Sequence, residues 1–429
     1  MTCELEIDVL AHGGNGIGRL DGKAVFVPLA AAGDRVACRI VRERRRYAEA
    51  ELVEVLRPGP GRRRPPCPVF GECGGCQWQH LDYATQRAWK ERLFAEQLER
   101  QAGVARQESG PLLAAPDEWN YRSRVQFKCR QTTAGFVMGF YRRGSHFVVD
   151  VPNCPISSPA VNRALAAFRR WLPASPCPDR IPQVDLASDD CGQVRAVVHC
   201  LDSQPHGLAD FLRPLAEDAG LALFFQTGRK ATLRRIAGAE DLAIEVDAPP
   251  LRLAYGPGAF AQINLDQNRA LVAEVVATVP WGGREQVLDL FCGMGNFSLP
   301  VARRSARVVG VEDFAPAIEQ ARANAAANGL GNLDFHAADA VGALEAFFPG
   351  RAPDVVLLDP PRSGAYAVCR ELTKAAPGKI VYVSCDPATL ARDLVPLLQG
   401  GYRLARTRPI DLFPQTWHTE SVSLLELTR

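Results

Sequence analysis

The 429-residue sequence has no apolar run near the roughly 18 residues that a membrane-spanning helix requires. Its start, MTCELEIDVLAHGG, has acidic residues where a secretory leader has a basic stretch followed by an apolar one. Charge of one sign is also missing: 50 Lys and Arg against 48 Asp and Glu leave a net +2, which excludes a global polycation. These absences predict a cytoplasmic protein with no membrane partner. In that reducing compartment the 13 cysteines, an odd number, argue against a disulfide framework and for reduced thiols, a metal site or catalysis. Basic charge is local instead. Arg44–Arg46 and Arg62–Arg64 form two short clusters near the N-terminus, either a solvated face or a surface for phosphates.

Patterning divides the chain into a multidomain α/β protein. Residues 1–60 alternate short strand-like runs with the turns HGGNGIG, LDGK and AAGDR, which predicts a small OB-like β-barrel. The linker RPGPGRRRPP follows, and then a helical period over YATQRAWKERLFAEQLERQAG that ends at a glycine. Residues 61–258 read as a central α+β domain, with strand-like RSRVQFKCR, GFVMGFYRR, SHFVVDV, VRAVVHC and LALFFQT. Residues 259–429 change character. QVLDLFC, ARVVGVED, LDFHAAD, DVVLLDPP and KIVYVSCDP are apolar strands followed by polar or Gly/Pro turns, with amphipathic helices between them. This alternation predicts a Rossmann-like parallel sheet whose ligands bind beyond the C-terminal strand ends.

The unusual residues fall at those ends. LDLFCGMGNFS carries Gly293 and Gly295 in a G-x-G turn, but lacks the third glycine of a dinucleotide site near Ser298. A smaller adenosine-type ligand fits better. Glu312 is placed for ribose hydroxyls and Asp339 for the adenine amino group, which together suit S-adenosylmethionine (SAM). Each carboxylate alone reads equally well as a helix cap. LLDPPRSG resembles the turn of methyltransferases that act on nitrogen. The next strand, however, ends in VSCDP, and Cys385 in that polar turn favours a nucleophile over core packing. Carbon 5 of uracil is a poor nucleophile until a thiolate adds at carbon 6. A base must later remove the carbon 5 proton, and DLFPQTWHTES offers His418 and Glu420.

In order, CGGCQWQH, GAFAQIN, LDLFCGMGNFSLP, LLDPPRSGA, VSCDPATLARDL and DLFPQTWHTES resemble the RNA (uracil-5-)-methyltransferase family over nearly the whole chain, and within it the iron–sulfur branch acting on 23S ribosomal RNA. The resemblance implies that the first module is an RNA-binding TRAM domain. It implies Cys385 as nucleophile and Glu420 as proton acceptor, with SAM bound by Gln262, Phe291, Asn296, Glu312, Asp339 and Asp359. Asp386 stands where the family often has asparagine, and DPPR where it often has DPAR.

Cys67, Cys73 and Cys76 are spaced C-x5-C-x2-C, without the second close pair that a zinc site usually has and without the C-x3-C-x2-C of radical chemistry. With Cys154 they make four thiolates split three plus one, which suits a 4Fe-4S cluster, and the resemblance implies the same. The expected activity is SAM-dependent methylation of carbon 5 of a uridine in 23S rRNA, with no obligatory protein partner. A tRNA (uracil-5-)-methyltransferase and a non-catalytic RNA-binding assembly factor are the alternatives. The TRAM module and the cysteines count against the first, Cys385 and Glu420 against the second.

Overall fold

A computed structural model describes residues 2–203, 205–228, 232–239 and 241–428. The first five strands, β1 (Thr2–Leu10), β2 (Gly16–Leu20), β3 (Lys23–Val27), β4 (Arg35–Glu43) and β5 (Tyr47–Arg57), close into a barrel in the order β1-β2-β3-β5-β4. Closure leaves no edge strand exposed. Leu5, Ile7, Val25, Val27, Val36 and Cys38 fill its interior, as the alternation along each strand predicts.

Residues 58–82 then run without helix or strand as far as α1 (Tyr83–Ala102). Asp82 caps α1 by accepting from the Thr85 amide at 2.7 Å, and Gly103 closes it in the left-handed conformation. The central domain follows, with β6 (Arg124–Thr132), β7 (Gly135–Tyr141), β8 (Val148–Asp150), α2 (Pro159–Trp171), β9 (Gln183–Ser188), β10 (Val194–Cys200), α3 (Leu208–Ala219), β11 (Ala222–Thr227) and β12 (Arg234–Ala237). Its sheet order is β12-β11-β10-β9-β6-β7-β8, and α2 and α3 cover one face. The hairpin β13 (Leu242–Val246) and β14 (Leu251–Tyr255) lies N-terminal to the expected boundary at residue 258, yet it packs with the C-terminal domain. Phe94 and Leu98 of α1 likewise pack on that domain, because its second face needs an apolar cover.

The C-terminal domain runs α4 (Leu265–Thr278), β15 (Gln286–Leu290), α5 (Ser298–Ala302), β16 (Arg307–Glu312), α6 (Ala315–Ala327), β17 (Leu333–Ala337), α7 (Ala343–Phe347), β18 (Val355–Leu358), α8 (Tyr366–Ala375), β19 (Lys379–Ser384), α9 (Pro387–Gln399), β20 (Tyr402–Ile410) and β21 (Glu420–Leu427). Its order is β17-β16-β15-β18-β19-β21-β20, with β21 antiparallel to both neighbours. The order reverses between β15 and β18, so a crevice opens at their C-terminal ends. Among the described residues no helix is long and apolar enough to cross a membrane.

Candidate active site

The crevice is lined by turns that the strands hold in place. After β15 the chain turns at Phe291 (φ 65°), whose amide donates to Val311 O at 2.9 Å. Gly295 (φ 92°) follows, and a Cβ there would lie 2.3 Å from Leu299 Cδ1, so only glycine lets the loop close onto α5. Glu312 at the end of β16 accepts from the Gly293 amide (3.3 Å) and the Phe314 amide (3.1 Å), and so fixes the loop against the neighbouring strand. Burial, with Asp313 beside it, raises the Glu312 pKa. Asn296 exchanges amide hydrogen bonds of 2.9 and 3.0 Å with Asn268 of α4. Gln262 is buried in the segment that leads into α4. Asp339 stands exposed beyond β17, where its carboxylate accepts from the Val341 amide at 2.8 Å. The Ala338 amide beside it donates to Glu312 O at 3.0 Å, so Asp339 stands one strand over from Glu312 at the same sheet edge.

One carboxylate of this crevice escapes sequence reasoning. Asp289 is wholly buried in β15, bonded to Ser298 Oγ through one oxygen, and its other oxygen has no partner among the described residues. Burial raises its pKa to about 7. The only signal in the sequence is a lone acid inside the apolar run VLDLF.

Across the switch point, Cys385 follows β19 and Glu420 opens β21. Ser384 pairs with Ser421 in the ladder, which sets the two groups side by side. Asp386 caps α9, accepting from the amides of Ala388 and Thr389, both at 2.9 Å. Aspartate serves that role as well as the asparagine frequent in the family. Burial, then the charges of Glu420 and Asp359, push the Cys385 thiol up to about 12, and Arg362 opposes them. Glu420 is only 2% exposed. Burial and Asp359 hold its carboxyl well above the usual range, again against Arg362. Asp359 joins the two halves. Burial, Asp289 and Glu312 raise it to about 7, and its charge bears on both Cys385 and Glu420. His418, by contrast, is pushed down to about 4 by burial and by Arg362 and packs against Trp417 at 4.1 Å between ring centroids, which disfavours it as the proton acceptor.

Three of the four cysteines of the other candidate group lie in residues 58–82, and Cys154 follows β8. Cys76 and Cys154 share an apolar cluster with Tyr121, Val151 and Ile156. Burial is the main cause that raises the thiols of Cys67, Cys73 (to about 11) and Cys76 (to about 12), and each of these feels the charge of Cys154. The backbone amide of Gly75 donates to Cys73 Sγ at 3.4 Å. A second gathering was not foreseen: ligand atoms of Cys177, Cys200 and Asp202 lie within 4.8 Å of one another at the end of β10. The arginine clusters split. Arg44–Arg46 are exposed on the barrel. Arg62 instead pairs with buried Asp34, and Arg63 grips Glu118 through both nitrogens at 2.8 and 3.0 Å, so both serve the fold.

A parallel sheet with a glycine loop, a strand-end glutamate and a crevice at its switch point defines a SAM-dependent methyltransferase. At the same sheet edge a thiol, Cys385, lies beside a buried carboxylate, Glu420. Comparison agrees. The family profile of tRNA (Uracil-5-)-methyltransferase matches residues 227–428, and that of the TRAM domain matches residues 2–53. A protein of Alkalilimnicola ehrlichii named 23S rRNA (uracil(1939)-C(5))-methyltransferase RlmD is 38% identical over 99% of this chain and 96% of its own. A protein of the same name from Shewanella amazonensis is 36% identical over 99% of this chain and 95% of its own. In fold, the chain resembles the Pyrococcus abyssi tRNA (uracil-54, C5)-methyltransferase solved with S-adenosyl-L-homocysteine, with a TM-score of 0.77, 24% identity, and coverage of 99% and 100% of the two chains. The chain belongs to the RNA (uracil-5-)-methyltransferase family.

Proposed function

We propose that the protein methylates carbon 5 of a uridine in 23S ribosomal RNA, in the cytoplasm, with SAM as methyl donor. The observation that carries this reading is the thiol–carboxylate pair at the ends of adjacent strands, Cys385 just after β19 and Glu420 at the start of β21, next to the glycine-loop crevice. The names of the relatives support the ribosomal substrate and the uridine equivalent to their position 1939.

Carbon 6 of a stacked, paired uracil is shielded, so the base leaves its helix to reach the thiol. Cys385 adds as the thiolate at carbon 6, the carbon 5–carbon 6 π bond breaks, and its electrons move onto the carbon 4 oxygen as an enolate. SAM supplies an electrophilic methyl group held in the crevice by Gln262, Phe291, Asn296, Glu312, Asp339 and Asp359. Carbon 5 then takes that methyl as the sulfonium carbon–sulfur bond breaks, and S-adenosylhomocysteine leaves with the electron pair. Glu420 then removes the carbon 5 proton, the carbon 5–carbon 6 double bond re-forms, and the thiolate departs. A buried carboxylate with a raised pKa is a strong proton acceptor once ionised. Arg362 favours the charged form of both groups.

Cys67, Cys73, Cys76 and Cys154 suit a 4Fe-4S cluster. Cys76 and Cys154 share one apolar cluster, and Cys67 and Cys73 stand near enough to feel the charge of Cys154, an arrangement that fits four thiolates on separate irons. When bound, the cluster supplies iron–sulfur bonds that fix a loop of little regular structure, since methyl transfer to a nucleophilic carbon needs no electron. Anaerobically purified protein should carry about four irons per chain, and zinc without iron would count against the cluster.

The test of the activity is a denaturing gel with labelled SAM and ribosomal RNA. Glu420→Gln should accumulate protein joined covalently to methylated RNA. If His418→Ala traps the adduct and Glu420→Gln turns over normally, Glu420 is not the base. Loss of the gene should remove 5-methyluridine from 23S rRNA. Its loss from tRNA alone would overturn the ribosomal assignment.

A further inference from the structure

The loop joining β1 to β2, residues 11–15, reaches out of the barrel to the catalytic domain. It closes on itself: the Ala11 amide donates to Asn15 O at 2.8 Å and the Gly14 amide to Ala11 O at 2.9 Å. It is also pinned from outside. Gly14 O accepts from Trp78 Nε1 at 3.1 Å, and Asn15 Oδ1 accepts from Arg143 at 2.8 Å. Gly14 has φ 86°, and a Cβ there would stand 3.1 Å from Trp417 Cδ1, so the loop seats tightly against that ring.

The result is a run of rings across two domains. His12 meets Trp417 edge-on with centroids 4.4 Å apart, Trp417 lies 4.1 Å from His418 at an interplanar angle of 32°, and His418 meets Phe413 at 6.0 Å. One end is open to solvent, since His12 is exposed. Further along, the run passes His418, two residues before Glu420. Asp386, next to Cys385, acts on both His12 and His418, and Arg362 acts on His418 as it does on Cys385 and Glu420. Among the described residues no protein group bonds the ring nitrogens of His12, Trp417 or His418. Polar edges are therefore left to a ligand, and the faces are aromatic.

We propose that His12, Trp417 and His418 form a nucleobase-binding subsite, shared by the barrel and the catalytic domain, for a nucleotide that flanks the target uridine. The target base itself is committed elsewhere, with carbon 6 at Cys385 and carbon 5 near Glu420. Extrusion of one base leaves its neighbours unstacked. An aromatic face just outside the thiol replaces that lost stacking, and free ring N–H groups meet the edge of the base. The barrel thus reads the sequence context of the target as well as binding the backbone. This inference rests on the uridine-methylating reading of the same site.

The test combines protein and substrate changes, using the full-length, metal-loaded protein. RNA fragments containing the target uridine are made with single abasic nucleotides at each flanking position, and KM and kcat are measured. For the wild-type protein one abasic position should raise KM for RNA about tenfold, the usual effect of losing one base–aromatic stack. His12→Ala and Trp417→Ala should each raise KM on intact RNA by a similar factor, and the abasic change should then add little, because its partner is already gone. Trp417→Phe should restore most of the loss, which separates stacking from a packing defect at Gly14. His12 is exposed, so its variant keeps the test usable should Trp417→Ala fold poorly. Abasic penalties that remain the same in His12→Ala as in wild type at every position would overturn the subsite while leaving the methylation reading intact. Absence of 5-methyluridine on any RNA with the wild-type protein would instead overturn the reading on which the subsite rests, and the subsite with it.

Discussion

The edge of the C-terminal sheet that carries Cys385 and Glu420 and the cysteine-bearing stretch 58–82 both position thiols, but by opposite means. Main-chain pairing places Cys385 and Glu420: β19 and β21 are registered from Lys379–Glu426 to Ser384–Ser421, and the reactive groups ride on the ends of that ladder. The stretch 58–82 has no such ladder. Among the described residues it holds turns and isolated bridges, tied down by Arg62 on Asp34, Arg63 on Glu118 and the Trp78 ring between barrel and α1. In the first region the chemistry can be deleted and the frame kept. In the second, on the proposed cluster reading, the thiols are part of the frame.

Single substitutions test that contrast. Cys385→Ala should give the largest effect, a fall in methyl transfer of about 10⁴-fold or more, as for loss of other covalent nucleophiles. SAM affinity and melting temperature should hardly change, which calorimetry and ligand titration would check. A clear drop in stability would mean that the thiol also packs the sheet edge. Cys154→Ser should behave in the reverse way. On the proposed cluster reading, iron content and melting temperature should fall together, the latter by roughly 5–10 °C, because ligation of a cluster there would be folding energy. SAM binding by the glycine-loop crevice should survive. Loss of iron without loss of stability would remove the contrast.

A third site has features of both. Lys90 of α1 and Asp411, at the end of β20, form a wholly buried ion pair at 2.6 Å, and Lys90 also donates to Phe413 O at 3.0 Å. The pair anchors the segment between β20 and Glu420. Lys90→Met leaves a buried carboxylate unpaired and should cost about 3–5 kcal/mol in denaturant unfolding. Activity at low temperature should fall too if the segment positions Glu420.

Arg362 sharpens the chemical half of the comparison. The Cys385 thiol is held at about 12, so the thiolate fraction, and the rate of adduct formation, should rise with pH through the neutral range. Arg362 lowers that pKa. Its replacement by glutamine should raise it further and leave less thiolate at any neutral pH. Adduct formation should then slow, by roughly tenfold if the thiol becomes tenfold harder to ionise, and the rising limb should move to more alkaline pH. A profile that moves the other way would show that Arg362 acts on the RNA alone.

The two regions also differ in how legible they are. The strands β15 to β19 stand out as apolar runs ending in polar turns, because a parallel sheet is buried on both faces. β20 and β21 do not. RLARTRPI carries three arginines and ESVSLLEL alternates with serine and glutamate, so Glu420 is approached only through the motif DLFPQTWHTES. The helical period of α1 is plain, but nothing local says that Phe94 and Leu98 cover the methyltransferase sheet. The same holds for the hairpin 242–255, whose partners lie on α4 and α6. His12 reads only as part of a glycine-rich turn, since Trp417 lies near the other end of the chain. For the arginines the sequence has no signal of burial. Arg62 and Arg63 look like Arg44–Arg46 until Asp34 and Glu118 are found beside them.

That last difference yields the smallest effect and the finest test. Arg44, Arg45 and Arg46 are exposed on the barrel and free to meet phosphates, so each should release about one counterion on binding RNA. Replacing all three with glutamine should lower the slope of log affinity against log salt by about two to three and weaken binding severalfold at moderate salt. Melting temperature should stay put, because exposed charges contribute little to stability. Arg63→Gln should do the opposite. It breaks a bidentate pair with Glu118 that is only a quarter exposed on either side, so it should lower stability and leave the salt slope unchanged. If Arg63→Gln flattens the slope as much as the barrel triple variant, the cluster Arg62–Arg64 contacts RNA despite its internal partners. The stretch 58–82 would then be a binding surface as well as a brace.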